Sequence, residues 1–485
     1  MNAQNLLQMF DANALRALAP LIALALGLVL VLLAGVFPLG RAVRSALVVA
    51  ALVASAVLHG NLLLGGETPG KVLAGTFESS STTAMWGLVF VASTLFAWLY
   101  SVRYYEEDAP FKNEHDVLML ATPIGMMLMA GARDLIVFFI GLELLSIPLY
   151  ALAAFRRDRT RSVEAGLKYF LLGAFAAGFF LYGTALVYAT TGSLSLDMLA
   201  DPAARAALGQ PMALVGVALI AASVFFKVSV FPFHLWVPDV YEGAPTPVTA
   251  LMATGTKAAG FAFLMSALVL LPSSTASTVA LVAVITMAAG NFCALAQTDV
   301  KRMLAYSGIA HAGTLLLGVA GAIHGDPSNG GAVQASLVYM AAYVATAAGA
   351  FGLLALLERD GGPTTLESLK GLAQRRPWVA AALTLFMLSL GGIPATGGFL
   401  GKYLVFSVAV RSELTGFAIV GVLLSVVALG YYLRVIIAMY MQSPEHDANI
   451  PEPRPASAAA TLASIVCAAL VLATGVLPGW LLELT

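Results

Sequence analysis

Runs of about 20 apolar residues recur along the whole chain, and each is the length an α-helix needs to cross a hydrocarbon core of ~30 Å. In lipid, every backbone N–H and C=O must be satisfied within the spanning segment, so a series of such runs folds as a bundle of helices. There are about fourteen of them, the first at residues 17–38 and the last at 458–481. Composition agrees: of 485 residues, 60% are hydrophobic and 11% charged, with a mean hydropathy of +0.89, whereas about a quarter of the residues of a soluble domain are charged. The sequence predicts an all-α polytopic membrane protein made of a single integral membrane domain, 1–485.

The first run is too long for a signal-peptide core and is followed by Arg41 and Arg44 rather than by a small-residue cleavage site, which makes it a retained first helix. A formal net charge of -1 gives no reason to propose a nucleic-acid partner. Cys293 and Cys467 each sit in an apolar run without a partner at a useful spacing, which suggests neither a disulfide framework nor a metal cluster. Basic residues are distributed unevenly. Connections after odd-numbered spans hold fifteen of the 25, among them Arg156, Arg157, Arg159 and Arg161, and the opposite face holds five. By the positive-inside rule this places both termini on the non-cytoplasmic side.

One stretch departs from this simple plan. FKVSVFPFHLWVPDVYEGAPTPVTALMATGTK, Phe226 to Lys257, carries two lysines at its ends, four prolines between them, and His234, Asp239 and Glu242. Each proline removes a backbone donor and clashes with the preceding turn, so the seventh span should break near Pro232. Broken backbone at membrane depth persists only where it is buried in protein or lines a watery cavity. An ionisable side chain there costs about 2.5–3.5 kcal/mol on insertion scales, and so marks function.

A weak internal repeat supports the same reading. Asp134 before the fifth span is matched by Asp299 before the tenth, 165 residues later, and Pro232 by Pro394 in GGIPATGGFLGKY, 162 residues later. An offset of five helices inverts the second copy, a plan in which paired broken helices flank a mid-membrane pathway. The organisation expected is helices 1–3 (1–110), a first repeat of helices 4–8 (115–271), a second of helices 9–13 (276–441), and a last helix (458–481).

Five ionisable residues fall within spans five, six, seven, eight and twelve: Glu143, Lys168, Lys227, Lys257 and Lys402. Desolvation disfavours the charged form of a lysine. A carboxylate ~7 Å away favours it by about 2.4 kcal/mol at an effective dielectric of 20, so a Glu143–lysine pair that tightens and loosens could switch a proton on and off. The alternative weighed beside it is a fixed structural ion pair. Lys168 has an alternative partner in Glu164, one turn earlier, and His234 and His311 read as hydrogen-bonded structural histidines rather than metal ligands. The sequence contains no phosphate loop, nucleophile elbow, CxxC pair or zinc-spaced motif.

GLELLSIPLYAL, EAGLKYFLLGAFAAGFFLYG, FKVSVFPFHLWVPDVYEGAPTPVTA and GGIPATGGFLGKY strongly resemble the antiporter-like membrane subunits of proton-pumping NADH:quinone oxidoreductase, respiratory complex I, over residues 80–440. N-type subunits are the most similar. M-type subunits carry a glutamate where this chain has Lys402, and L-type subunits continue into a long lateral helix. The resemblance implies fourteen helices with discontinuous seventh and twelfth helices. It makes Glu143 the acid of helix five, Lys168 the lysine of helix six, Lys227 the central proton carrier, Lys257 the connecting lysine and Lys402 the terminal one. It also implies a bacterial inner-membrane location, partnership with other membrane-arm subunits, and no cofactor in this chain, with NADH, flavin, iron–sulfur clusters and quinone in partner subunits. The alternatives are an Mrp-type cation/proton antiporter subunit and a structural subunit that moves no ion.

Overall fold

The computed structural model of the chain describes residues 11–37, 40–65, 68–105, 113–325, 331–358, 364–443 and 457–484. Residues 441–457, MQSPEHDANIPEPRPAS, whose Pro-rich and polar composition reads as a linker before the last span, fall largely outside these residues, as do the basic residues Lys112, Arg359 and Arg454. The expected helices follow in order: α1 (Ala12–Val36), α2 (Arg41–Leu64), α3 (Ser81–Tyr104), α4 (Asn113–Gly131), α5 (Leu135–Ala153) and α6 (Thr160–Thr191). Next come α7, in two segments (Pro211–Val228 and Trp236–Gly243), and α8 (Thr246–Ser266). They are followed by α9 (Ala276–Leu295), α10 (Val300–His324), α11 (Gly331–Leu357), α12 in two segments (Pro377–Gly391 and Gly397–Arg411), α13 (Thr415–Met441) and α14 (Ala458–Val476).

Twelve helices among the described residues are long and apolar enough to cross a membrane by themselves. The two others needed for fourteen are α4 and α12. α4 opens on Glu114, His115 and Asp116, and α12 is divided into halves of 15 residues. Asp116 is buried at that end of α4 because Trp98 Nε1 donates to it at 2.7 Å.

The inverted repeat is visible in small details. Asp134 and Asp299 cap their helices alike, accepting from Ile136 N at 2.8 Å and Arg302 N at 2.9 Å; this satisfies donors that the first helical turn leaves open. Each aspartate also forms an isolated antiparallel bridge, to Ser195 and to Thr365, and each bridge is followed by a one-turn helix, Leu196–Leu199 and Leu366–Leu369. Both broken helices begin with a proline at the first turn, Pro211 and Pro377. Their first segments end in left-handed backbone, at Ser229 (φ 70) and Gly392 (φ 84).

Glycines bring neighbouring helices into close contact, as expected where lipid gives no hydrophobic drive to association. A Cβ on Gly125 of α4 would lie 2.4 Å from Leu145 N of α5, and one on Gly290 of α9 would lie 2.5 Å from Ala310 N of α10. Burial then sorts the helices. α8 is buried along its whole hydrophobic window and α10 along 94% of it, against 33% for α2, α13 and α14. The helices that carry Lys257 and His311 therefore form the axis of the bundle. A two-stranded hairpin, Gly70–Val72 with Phe77–Ser79, covers one end, where Lys71 and Arg133 both pair with Asp197.

Replacing Gly125 by Leu should push α4 off α5, at a cost of roughly 1–3 kcal/mol for overpacking. The expected result is a clear fall in membrane-inserted, assembled protein on native gels. Gly178→Ala, where a Cβ would meet nothing within 4 Å, should leave that amount unchanged.

Candidate functional site

The break in α7 falls four residues earlier than the prolines suggest, because Ser229 turns left-handed directly after Val228 and ends the first segment there. The carbonyls this frees are taken up again: Phe225 O accepts from Val230 N at 2.9 Å, and Phe226 O accepts from Ser229 N at 3.2 Å and from Trp236 Nε1 at 3.1 Å. Lys227 lies in the last turn of this segment, where the negative end of the helix dipole favours a cation. Its Nζ donates to Ser146 Oγ at 2.7 Å and to Tyr169 OH at 3.2 Å, with the ammonium 5.3 Å from the Tyr169 ring centroid. Ser146 in turn donates to Leu142 O at 2.5 Å.

Glu143 lies one turn before Ser146 on α5 and is half-buried. It is the charged neighbour of Lys227, yet the two form no ion pair within 4.0 Å. The fixed pair weighed from sequence is absent, and a hydroxyl stands in its place.

Lys257 is fully buried on α8, directly after a π-helical turn, Met252–Thr256. Its Nζ donates to Gly308 O of α10 at 2.8 Å and lies 5.5 Å from the Tyr343 ring centroid. Lys402 follows the second break and reaches back across it, donating to Leu390 O at 3.0 Å and Gly391 O at 3.1 Å. These are the orphan carbonyls at the end of the first segment of α12. Both breaks thus pair a lysine with the negative end of a half-helix. In α7 the lysine stands on the segment that ends; in α12 it returns from the segment that begins.

Sequence reasoning set His311 aside as structural, and it is indeed hydrogen-bonded, by Nδ1 to Tyr339 OH at 2.6 Å and Nε2 to Tyr432 OH at 3.2 Å. Its placement adds more. It lies one turn beyond Gly308, the acceptor of Lys257, and shares with Lys402 a cavity of ≈ 10 Å³ also lined by Asn291, Tyr431 and Tyr432, about the room of a single water. Ser307 Oγ and Tyr432 OH, 2.5 Å apart, extend the hydroxyl chain back towards Lys257. The available sequence signal was the run YSGIAHAGT, which puts Tyr306, Ser307, His311 and Thr314 in the middle of a helix whose charged residues, Lys301 and Arg302, lie in its first turn.

Lys168 does not join this group. Its side chain is 41% exposed and holds Glu164 at 2.7 Å and Asp239 at 2.9 Å, so the reading of Lys168 as one of the buried ionisable residues is corrected: α6 turns this position outward, against the second segment of α7. His234 stacks on Phe231. Outside the spans, burial pushes the Asp299 carboxyl upward, against the Arg302 backbone N–H that it caps.

These features define a class: a polytopic bundle with inverted repeats, two broken helices, and buried lysines strung along its axis. The profile of the family described as NADH:quinone oxidoreductase/Mrp antiporter, TM, matches residues 132–428. NADH-quinone oxidoreductase subunit N 2 of Roseiflexus castenholzii is 43% identical over 398 residues, covering 80% of this chain and 79% of that protein. Subunit N of Myxococcus xanthus is 39% identical and covers 95% of each. Among solved structures, a chain of respiratory complex I from Thermus thermophilus with bound aureothin superposes with a TM-score of 0.81 at 34% identity, covering 96% of this chain and 98% of that one. The chain belongs to the NADH:quinone oxidoreductase/Mrp antiporter membrane-subunit family.

A Cβ on Gly308 would lie 2.7 Å from Lys257 Nζ. Gly308→Ala should therefore displace the ammonium from its carbonyl while changing no charge. The expected outcome is normal assembly with ion translocation reduced about tenfold, equivalent to about 1.4 kcal/mol. Flux measurements in reconstituted vesicles test this.

Proposed function

We propose that the chain is a proton-translocating membrane-arm subunit of a bacterial NADH:quinone oxidoreductase. NADH oxidation and quinone reduction take place in partner subunits, which hold the flavin, the iron–sulfur clusters and the quinone site. The chain would lie in the inner membrane with both termini outside the cytoplasm, as the distribution of arginine and lysine supports.

One observation carries this reading. Lys227, Lys257 and Lys402 are buried, and each is held by hydroxyls or backbone carbonyls without a carboxylate in ion-pair contact. A lysine locked to a carboxylate keeps its proton, whereas one solvated by neutral groups in a dry interior releases it when a nearby charge moves. Glu143, beside Lys227, is the movable influence at one end of the row. The proton then passes along the axis from Lys227 to Lys257, through the Ser307–Tyr432–His311 chain, to Lys402. The buried charge is the same at the end of the cycle as at its start, because each lysine that gives up a proton regains one, Lys227 from the aqueous side and the others from the lysine before.

The antiporter alternative shares the fold and the buried lysines, and differs in what drives them. Identities of about 40% over most of the chain to subunits named for NADH-quinone oxidoreductase favour the first reading.

Lys227→Ala in the whole assembled complex should abolish most NADH-driven proton translocation into liposomes while leaving NADH oxidation by artificial acceptors intact. Normal pumping by an assembled Lys227→Ala complex would overturn the assignment. Loss confined to salt-driven cation exchange, with NADH-linked pumping preserved, would favour the antiporter.

A further inference from the structure

We infer that Lys168 is a positioning residue that sets the place of Lys227 from outside the proton path, by fixing the second segment of α7 between the two repeats. This rests on the proposed function and refines which lysines carry protons.

Asp239 lies on that second segment, and its two oxygens are divided between the repeats. Oδ2 accepts from Lys168 of α6 at 2.9 Å, and Oδ1 accepts from Arg302 of α10 at 2.9 Å. Arg302 Nη1 also donates to Glu242 Oε2 at 2.7 Å, one turn further along the same segment, and Glu242 faces Arg161 of α6 at 3.8 Å. Asp239 and Glu242 therefore anchor the broken helix. They touch none of the buried lysines.

The middle cation of this network, Arg302, stays charged at any accessible pH. A chain whose central member cannot give up a proton is suited to holding rather than to relaying. The network is also partly open to water, with Lys168 and Asp239 each 41% exposed beside a cavity of ≈ 190 Å³. Its individual bonds contribute little to stability, but several together fix an orientation.

That orientation reaches Lys227 through the next residue of α6. Tyr169 stacks on Trp236 of the second α7 segment, with ring centroids 4.6 Å apart and planes 9° from parallel, and its hydroxyl accepts from Lys227 Nζ. Trp236 is bonded to Phe226 O, next to Lys227. Lys168 and Tyr169 thus grip one segment at two adjacent positions, and Tyr169 alone transmits the grip to the proton-carrying amine. If the segment tilts when Asp239 is released, the Tyr169 hydroxyl leaves Lys227.

Arginine separates positioning from carrying, since it keeps the charge and reach of lysine and does not deprotonate. In the whole complex reconstituted in liposomes, Lys168→Arg should pump within about twofold of the parent with an unchanged pH profile. Lys168→Gln should fall about fivefold or more, a change of about 1 kcal/mol in coupling. The double variant Lys168→Gln with Asp239→Asn should be no worse than Asp239→Asn alone, because that change already removes the Lys168 link together with the charge that holds Arg302. Lys168→Arg pumping as poorly as Lys168→Gln, or a shifted pH profile, would overturn the inference. So would losses that add in the double variant. If Lys168→Gln does not assemble, the Arg variant decides alone. Lys227→Arg serves as the control for the underlying reading: it should abolish pumping, and if it does not, the proposed function fails independently of Lys168.

Discussion

A positive charge in the dry interior of a membrane protein has to be solvated by the protein, and the arrangement of this chain follows from how it meets that demand. An intact helix offers little, because every carbonyl already accepts one intrahelical bond. A broken helix offers orphan carbonyls and a concentrated negative dipole end. The chain breaks two helices, and at each break a lysine is placed at the negative end: Lys227 in the last turn of the first segment of α7, and Lys402 against Leu390 O and Gly391 O of α12. Between them Lys257 is treated differently, with a single carbonyl, Gly308 O, and the face of Tyr343. Close approach there depends on Gly308 having no side chain.

Two kinds of buried lysine separate on the same principle. Lys301, at the first turn of α10, is as buried as Lys227, Lys257 and Lys402, but it is paired with Glu358 at 3.3 Å and donates to Ala244 O at 2.7 Å. Glu358 also accepts from Tyr104 at 2.7 Å and Thr246 at 2.6 Å. Breaking such a pair would leave an uncompensated charge, so the two are held together across the junction between the repeats. Lys227, Lys257 and Lys402 lack a carboxylate partner of this kind. On the proposed function, proton exchange and structural clamping fall to different lysines by what faces them, and burial alone does not distinguish the two roles.

Much of this was legible from residues. Prolines between Phe226 and Lys257 announced the first break, the Asp134–Asp299 spacing announced the repeat, and lysines at membrane depth announced buried cations along the axis, Lys227, Lys257 and Lys402. What sequence could not supply was contact across distance. Lys168 has the same helical setting in sequence as a buried lysine, and only the fold turns it towards Asp239, 71 residues away. The bond from Lys257 to Gly308 spans 51 residues, and that from His311 to Tyr432 spans 121. The π-helical turn before Lys257 has no local signature at all. α4 likewise falls short of a simple hydropathy test, since the partner that makes Asp116 tolerable, Trp98, stands on another helix.

The asymmetry between the two breaks has a directional consequence. Lys227 is attached to the segment whose carbonyls favour its charge, so shifting the second segment of α7 changes what Tyr169 offers it without moving the lysine itself. Lys402 is attached to the segment beyond the break, so any shift of that segment carries the lysine away from Leu390 O and Gly391 O. The first site responds to a moving partner and the second responds by moving. With His311 and a one-water cavity beside Lys402, the last transfer of the proposed relay is the one most easily interrupted by motion. A row of lysines with identical surroundings would let protons diffuse either way; one in which the two ends answer differently to displacement gives the movement of a helix segment a means of setting direction.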